Sequence, residues 1–500
     1  MAGPAYAQDA TGLRGGIALD IASESLNQPV PAYVPVSPGA LPDAAPADAT
    51  DTFDDDGTIG REQAATGATA EQRETSVAPA ERIDEATTGT VREPTIDSLD
   101  DEALDQGAER ALAIEGLEQL AEDNPYDAVG IRWGSFILKP TLETGLTATS
   151  NADSSANGSE AVLSETTLRL NAASDWASNS ATINAFGTFR KTLSGEEVDD
   201  VEGGVDALLE LELGNEYRAR GTFEYSITPE SAASPVVIPD TIEEPLTQTV
   251  GGTLGLEKDV GKALFAVTGG ISHDAYGNAD LEGGGVLSQK DRDSTLYTLE
   301  LRAGYEISPS LTPFVEAEIG QNLYSQELDS AGYRRSSDQM AFRAGLAFDT
   351  GEKLSGEVAA GWIREEFDDD RLEPLSAPSV AADVLWSPLR GTDVRLGGST
   401  TLEGTTTPGE SGSILYSTSL GIERQMRANL TGNALFGAAW RDYVGDEGHE
   451  TILNAEASLT WWLNRYAGIT GRVRHETVSG NLPDRDSETN SIFLGLKVQR

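Results

Sequence analysis

The sequence predicts an all-β fold: a transmembrane antiparallel up-and-down β-barrel of about 18 strands, with about 16 as the fallback count. From Ile131 to Arg500 the chain falls into runs of about 10–14 residues in which apolar and polar side chains alternate. The connections alternate too, since the tight turn Gly214-Asn215-Glu216 is followed by a long polar segment from Pro229 to Pro245. Short turns at one end and longer loops at the other are typical of barrels that cross an outer membrane.

The composition narrows the class of protein. None of the 500 residues is cysteine, hydrophobic residues make up 38%, and the formal net charge is −48. The sequence has no apolar run long enough for a helical membrane span, which excludes that architecture. A barrel strand needs apolar side chains only at every second position. The strong negative charge argues against nucleic acid as a partner, and the lack of cysteine is compatible with a bacterial envelope protein.

The N-terminal quarter is divided into three predicted segments. Residues 1–7 end in the A-x-A form of a signal-peptidase site. We interpret them as the remnant of a signal peptide that is cleaved after Ala7. The alternative is an accidental A-x-A in an Ala-rich tail. Residues 8–98 are predicted to be a disordered acidic periplasmic tail, because acidic residues far outnumber basic ones there. Good helix formers predict a short helix or linker over residues 99–123, before a barrel over residues 124–500.

Two-faced alternation justifies the individual strands. In Tyr217–Ile227, Phe223 and Tyr225 share one face while Arg218 and Glu224 share the other. One face is therefore expected to contact lipid and the other the lumen. A soluble sandwich also alternates, but its strands usually have about 5–6 residues, and these are longer. The predicted strands begin near Ile131, Val162, Ala181, Val201, Tyr217, Leu246, Lys262, Thr295, Leu311, Gln339, Leu354, Ser379, Thr392, Ser413, Asn429, Thr451, Tyr466 and Ser491.

The strand count and the aromatic residues place the predicted barrel in a membrane. An even count puts both termini in the periplasm, and a barrel of about 16–18 strands is wide enough for an aqueous channel. The weakest strands are Val201–Leu213, where Gly203-Gly204 is a candidate bulge, and Pro378–Trp386. Aromatic residues lie near strand ends, as interfacial girdles require: Trp133, Trp176, Tyr217, Tyr305, Trp362, Trp386, Trp440, Trp461, Trp462 and Tyr466.

The junction between tail and barrel carries the motifs of a known family. It reads Asn124-Pro125-Tyr126-Asp127-Ala128-Val129-Gly130-Ile131-Arg132-Trp133, and the first strand continues through Leu142-Glu143-Thr144-Gly145-Leu146. The chain ends in Ser491-Ile492-Phe493-Leu494-Gly495-Leu496 before its last four residues. These segments resemble the outer-membrane beta-barrel porin family often called beta-barrel porin 2. The resemblance covers residues 124–500 and implies a Gram-negative outer-membrane barrel without established catalytic residues.

Residues that could carry catalysis are scarce. The only three histidines are His273, His449 and His475, and all three fall in an outer loop or near outer strand ends. An embedded hydrolase would need a His paired with a Ser at one rim; His475 beside Ser479 is the nearest candidate, and an ordinary loop-end histidine is the simpler interpretation. Phosphate-loop and zinc-site motifs are missing from the sequence. We therefore predict no enzymatic activity, no catalytic or metal-binding residues and no cofactor.

Charged side chains on the lumen face are the candidates for function. Inside a wide barrel such charges either line a pore and set its selectivity or form a neutralised network that fills the interior, and the sequence leaves both possibilities open. The candidate pore-lining residues are Arg169, Arg190, Arg218, Arg220, Arg302, Arg343, Arg395, Arg472, Arg474, Glu210, Glu224, Glu300, Glu316, Glu318, Glu357 and Glu456.

The predicted function follows from this architecture. We expect a porin-like outer-membrane channel that passes small polar solutes or exports a polymer such as an exopolysaccharide. The alternative is a non-conducting barrel that acts as a structural anchor or as a surface-interaction protein. The expected partners are outer-membrane lipid, lipopolysaccharide and the barrel-assembly machinery. Nucleic acid is excluded as a partner, and the oligomeric state is left open.

Overall fold

The computed structural model of this chain describes residues 124–156, 158–238, 241, 244–281, 284–445, 448–482 and 485–500. The segments predicted for residues 1–7, 8–98 and 99–123 lie outside the described residues. Every regular element in the described part of the chain is a β-strand. Among those same residues, no helix has the length and hydropathy needed to span a membrane.

Twenty-one strands account for the regular structure of the described residues. They are β1 Ile131–Trp133, β2 Phe136–Thr149, β3 Ala161–Ser174, β4 Ser180–Gly195, β5 Asp199–Leu213, β6 Tyr217–Pro229, β7 Leu246–Val260, β8 Ala263–Tyr276, β9 Ala279–Asp280, β10 Val286–Leu287, β11 Ser294–Tyr305, β12 Leu311–Tyr324, β13 Ser337–Asp349, β14 Leu354–Phe367, β15 Leu375–Leu389, β16 Thr392–Gly404, β17 Gly412–Arg427, β18 Leu430–Val444, β19 His449–Trp462, β20 Ala467–Gly480 and β21 Ser487–Gln499.

Eighteen of these strands, β2–β8 and β11–β21, pair antiparallel in chain order and close into a barrel. The closing seam joins β2 to β21 along nine residue pairs. Gly145 faces Gly495 across this seam, and a Cβ on Gly495 would lie 2.4 Å from the ring of Phe493. The glycines therefore leave room for a buried aromatic ring. The prediction of an antiparallel barrel of about 18 strands is confirmed.

The two ends of the barrel differ in the length of their connections. One end, called here the turn end, holds short connections such as 214–216, 261–262 and 390–391, together with both Asn124 and Arg500. The opposite end, called the loop end, holds the longer connections, of which 230–245 and 277–293 are the longest. This alternation is the one that the sequence predicts.

Two details of the predicted strands are wrong. The first barrel strand begins at Phe136 and not at Ile131, because Gly134 adopts φ +61° and turns the short β1 back onto β2. In β5 the pairing runs through Gly203-Gly204 without a shift, so these glycines are not a bulge. Register shifts occur instead in β3, in β17 and in β15, where the shift between Trp386 and Leu389 surrounds a proline that cannot donate to the ladder.

The outer face of the barrel is apolar, and its aromatic residues lie mostly where the sequence places them. Leu301, Phe436 and Leu459 are about half exposed on this face, as expected for side chains that meet hydrocarbon. Trp461 is exposed there as well. Trp462 is an exception among the predicted girdle residues, because it is buried and points into the barrel.

Arginine in place of Leu301 should destabilise the folded barrel by about 2–4 kcal/mol, because it puts a charge on the lipid face near the bilayer midplane. Leu301 is 56% exposed in the middle of β11, where that face meets hydrocarbon. Thr431→Arg is the matched control, since Thr431 points into a cavity at the turn end. A urea titration in lipid vesicles measures both variants. Equal losses of unfolding free energy would contradict the assignment of the two faces.

Candidate functional site in the barrel interior

The connection after β6 folds into the barrel instead of standing outside it. We call residues 230–238 the inward loop. Its Ala232 and Ala233 are almost completely buried, and the Ala232 N–H donates to the carbonyl of Ser154 at 3.1 Å. The two alanines pack against the far wall, on Leu415, Ala439, Ile452 and Val478. The long polar outer loop predicted between Pro229 and Pro245 is therefore wrong for this part of the connection.

Arg441 on β18 holds the tip of the inward loop against the wall. Its guanidinium is 0% exposed and donates to both carboxylate oxygens of Glu403, at 2.6 and 3.0 Å. It also donates to Glu450 at 2.9 Å and to the backbone carbonyl of Ala233 at 2.9 Å. Bidentate, charge-assisted hydrogen bonds of this kind are strong and directional. Arg441 in the barrel wall thus binds the backbone of a segment that lies more than 200 residues earlier in the chain.

A second group of contacts fixes the same stretch of backbone. Arg485 donates to the carbonyl of Pro235 at 3.2 Å and to that of Ser234, and it pairs with Glu450. The hydroxyl of Tyr443 donates to Glu450 at 2.9 Å. We call Glu403, Arg441, Tyr443, Glu450 and Arg485 the anchor cluster. It holds two carboxylates and two guanidinium groups, so it neutralises itself while it clamps the loop.

The start of the inward loop is attached to a neighbouring loop. Glu230 forms a buried ion pair with Arg292 at 2.7 Å, and the guanidinium of Arg292 lies over the ring of Tyr276. Burial raises the pKa of Glu230, although Arg292 favours its ionised form. The loop is therefore held at both ends, by Arg292 on one side of the barrel and by the anchor cluster on the other.

One side of the interior is filled. At the loop end a buried apolar cluster joins five strands from β13 to β17 with β11. Arg335, in the connection after β12, covers this region: it pairs with Asp329 at 2.8 Å and donates to the carbonyls of Thr407 and Glu410, at 2.9 and 2.5 Å. The members of the apolar cluster are Leu296, Ala341, Ile363, Leu375, Ala377, Leu402 and Ile414.

A network of ion pairs fills the same side at mid-height. Arg302 on β11 pairs with Glu357 on β14 at 2.7 Å, across two intervening strands, and with Glu316 at 3.1 Å. Arg343 pairs with Glu316 at 3.2 Å and with Glu318 at 2.9 Å. All five side chains are nearly buried. Here two guanidinium groups pair with three carboxylates within the wall, which corresponds to the second of the two arrangements that the sequence leaves open.

The other side of the interior contains two cavities. The outer cavity, of ≈ 230 Å³ at the loop end, is lined by strands β2–β7 and β19–β21 and by the inward loop. The inner cavity, of ≈ 350 Å³ at the turn end, is lined by β2–β4, β16–β19 and β21 and by residues 124–128. Thr167 and Thr188 line the outer cavity, while Arg169 and Phe186, the next inward positions on the same strands, line the inner one. The two cavities therefore follow one another along a common wall.

The sixteen predicted pore-lining residues all occupy inward-facing strand positions, but they divide between the two sides. Arg190, Arg472, Arg474 and Glu456 line the outer cavity, and Arg169 lines the inner one. The others line neither cavity. Some of them belong to the Arg302–Arg343 network described above, and among the rest Arg218 pairs with Glu257 and Arg220 pairs with Glu210. These others are Arg218, Arg220, Arg302, Arg343, Arg395, Glu210, Glu224, Glu300, Glu316, Glu318 and Glu357.

The lining of the outer cavity is strongly acidic. Ten carboxylate side chains and three arginines contribute to it. Glu165 accepts from Arg472 and lies 3.8 Å from Arg190, which also pairs with Glu202 at 3.0 Å. Arg474 pairs with Glu476 at 2.8 Å. All three arginines therefore have acidic partners, and the remaining carboxylates give the cavity an excess of negative charge.

The acidic cavity should lose negative charge when the pH falls through neutrality. Burial, and then the charges of Asp153, Glu230 and Asp200, raise the pKa of Glu244 to about 7. Of these carboxylates, Glu230 is itself paired with Arg292. Since a carboxyl group is neutral below its pKa, cation preference should fall between about pH 8 and about pH 6. Reversal potentials across a planar bilayer measure this change, and it should be smaller in Glu244→Gln.

Two kinds of site considered from the sequence, a metal site and a His–Ser pair, can be compared with the described part of the chain. No three His, Asp or Glu side chains among those residues lie together in a way that could hold a metal ion. His475 shares a hydrogen bond of 2.8 Å with Asn490 on β21, whereas the register pairs Ser479 with Thr451 on β19. The geometry therefore gives no support to the His475–Ser479 alternative.

Among the comparisons with known proteins, the family match agrees with this architecture. The family described as "Putative beta-barrel porin 2" matches residues 124–500. Among curated proteins none matches the chain. Solved structures that resemble it include OpdK from Pseudomonas aeruginosa and a BenF-like porin from Pseudomonas fluorescens Pf-5; for each, the identity is 10%, the TM-score is 0.37, and 73% of this chain and 99% of the other are covered.

A larger outer-membrane transporter also resembles the chain. YddB from Escherichia coli has 10% identity and a TM-score of 0.33, and the match covers 71% of this chain. The chain spans only 62% of the length of YddB. Because the family match extends over the whole described barrel, it is decisive. The chain belongs to the beta-barrel porin 2 family of outer-membrane proteins.

Proposed function

We propose that the barrel is a narrow water-filled channel for small polar solutes, which run along the β2–β4 and β19–β21 side of its interior. The observation that carries this proposal is the succession of the two cavities along one wall, from the loop end to the turn end. Polar side chains line both cavities, and Thr188 and Thr460 are examples. Barrels of about 16–18 strands are wide enough to leave an aqueous channel.

The inward loop favours small solutes over a polymer. It crosses the outer cavity and is held on both sides, so it narrows the path where a polymer chain would have to leave. An extended polysaccharide would need that loop to be displaced against the buried contacts of Arg441. We therefore prefer solute diffusion to exopolysaccharide export.

The turn end is expected to face the periplasm. Outer-membrane barrels have their short turns on the periplasmic side and their longer loops outside. With this orientation both Asn124 and Arg500 are periplasmic, the acidic outer cavity faces the cell exterior, and the inner cavity opens inwards. Protease treatment of intact cells that carry a cleavage site in the 368–374 loop tests this orientation.

A non-conducting anchor is the second candidate. The observation that favours it is the packing on the other side of the interior. The apolar cluster and the Arg302–Arg343 network occupy that side, and neither of the two cavities extends into it. If such packing closed the remaining half as well, the barrel would carry no current. The loops at the outer end would then be its functional surface.

Conductance of the purified, refolded barrel in planar bilayers separates the two candidates. A channel should give discrete, ohmic steps, and liposomes that contain it should swell in small sugars but not in long oligosaccharides. Heat-denatured protein is the control for leakage caused by detergent. Folded protein, shown by its heat-modifiable migration in gels, that gives neither steps nor swelling would favour the anchor.

A further inference from the structure

Two asparagines at the outer cavity carry buried amide oxygens for which the described part of the chain supplies no donor. Asn151 and Asn454 both line the cavity, and the side-chain oxygen Oδ1 of each is buried without a hydrogen-bond partner among the described residues. Each of these residues is more than nine-tenths buried, with exposures of 5% and 8%. Buried amide oxygens are nearly always hydrogen-bonded in folded proteins, so two in one cavity indicate that something else supplies the donors.

The two asparagines belong to neighbouring parts of the same wall, since only β20 and β21 lie between β19 and β2. Asn151 follows β2 and donates its own amide to the carbonyl of Ser155 at 2.8 Å, which fixes the side chain. Asn454 lies at an inward position of β19, between Ile452 and Glu456, which also line the cavity. The acidic lining and the acceptor oxygens thus surround the same space.

We propose that the outer cavity is a binding subsite for small organic cations that carry N–H donors, namely primary ammonium or guanidinium groups. This inference deepens the proposed channel function and rests on it for the route by which the ligand passes. A ligand of this class satisfies the two amide oxygens and the excess of carboxylates at once. An anion would meet repulsion from the carboxylates, and a neutral sugar would leave the charge uncompensated.

The geometry also favours an organic cation over a metal ion. Hard metal ions need several oxygen ligands at short distances around one point. The described carboxylates do not converge in that way, and they are spread around ≈ 230 Å³ of space. A flexible diamine can place separate N–H groups against separate acceptors. Its alkyl segment would contact apolar lining residues such as Ile452 and Phe493.

Isothermal titration of the folded, detergent-solubilised barrel tests the proposal without requiring any current. The probes are 1,4-diaminobutane, guanidinium and tetramethylammonium, the last of which carries charge but no N–H donor. We expect diaminobutane and guanidinium to bind at least about tenfold more tightly than tetramethylammonium, because hydrogen bonds to charged groups are worth a factor of this order. Equal affinities would overturn the proposal, since charge alone would then explain binding.

Variants locate the subsite. Asn454→Leu and Glu244→Gln should each weaken diaminobutane binding by about tenfold. Glu300→Gln, which changes an inward carboxylate outside the cavity, should leave it unchanged. Asn151→Leu would also remove the hydrogen bond from the Asn151 amide to the Ser155 carbonyl, so its effect on binding would not report the amide oxygen alone. Heat-modifiable gel migration confirms that each variant is folded.

Two further results would overturn the assignment of the ligand. One is Ca²⁺ or Mg²⁺ binding more tightly than diaminobutane and competing with it, which would make the cavity a metal site. The other is the absence of diamine binding to folded protein. Failure of the channel proposal can be distinguished from failure of the subsite proposal, because current and binding are measured separately. A barrel that binds diaminobutane in the titration but carries no current would contradict the channel and still support the subsite.

Discussion

Replacing residues 231–243 by a short Gly-Ser turn should raise single-channel conductance at least about twofold, because an 18-stranded barrel is wide and the inward loop occupies part of its outer half. The same variant should let liposomes swell in larger sugars. The side chains of its anchor cluster are unchanged, but the wall loses the backbone partners that Arg441 and Arg485 bind and the packing of Ala232 and Ala233. Planar-bilayer recording of the refolded protein is the measurement.

Shortening another loop provides the control. The β9–β10 hairpin also follows a strand end but lines neither cavity, and its Val286 is well exposed. Removal of residues 282–285 should leave conductance close to that of the unmodified barrel. An inward-loop variant that folds and conducts like the parent would mean that this loop does not narrow the path.

Leucine in place of Arg441 should destabilise the barrel by about 3–5 kcal/mol. The substitution leaves the buried carboxylates of Glu403 and Glu450 without the guanidinium that compensates them, and breaking a buried ion pair has this cost. The inward loop also loses its bond from Arg441 to the Ala233 carbonyl, so we expect current fluctuations in place of steady steps. Urea titration and bilayer recording measure the two effects.

Arg364→Leu is the matched control for this substitution. Arg364 is also an arginine on a barrel strand, but it is substantially exposed and pairs with Glu366 at the surface. Exposed ion pairs contribute roughly 0–1 kcal/mol, so its loss should be small. Comparable destabilisation by both substitutions would show that burial of Arg441 in the anchor cluster is not what stabilises the loop.

The fold was largely predictable because strand periodicity is a local property. Tyr217, Leu246, Leu311, Leu354 and Thr392 begin strands in the structure where the alternation begins in the sequence. The sequence predicts a start that is too early for the first strand, because Ile131–Trp133 and Phe136–Thr149 form one alternating run. Only the conformation of Gly134 separates them, and a glycine in a run does not by itself reveal a turn.

The interior was less predictable because its contacts join residues far apart in the chain. Alternation placed Arg302, Arg343 and Arg472 on the inner face, but it could not show that two of them belong to a neutralised network and the third to a cavity wall. That division depends on which strands face each other across the barrel.

The inward loop illustrates the same limit. The sequence contains a signal for it, because the stretch from Ala232 to Ile238 is apolar apart from Ser234, which is unusual for a loop in water. Its partner Arg441 lies on β18, more than 200 residues later, and nothing near Arg441 in the sequence marks it as a loop anchor. Long-range pairing of this kind follows from the closed barrel and not from local pattern.

Cysteine accessibility tests the central claim most directly, because the chain has no cysteine of its own and every introduced thiol reports one position. Thr188→Cys and Thr460→Cys place thiols in the outer and inner cavities, while Thr298→Cys places one on the inner face of the filled side. A charged, membrane-impermeant thiosulfonate reagent should reduce the current through the first two variants and leave the third unchanged. Block through Thr298→Cys with no effect at Thr188→Cys and Thr460→Cys would contradict a path along the β2–β4 and β19–β21 wall.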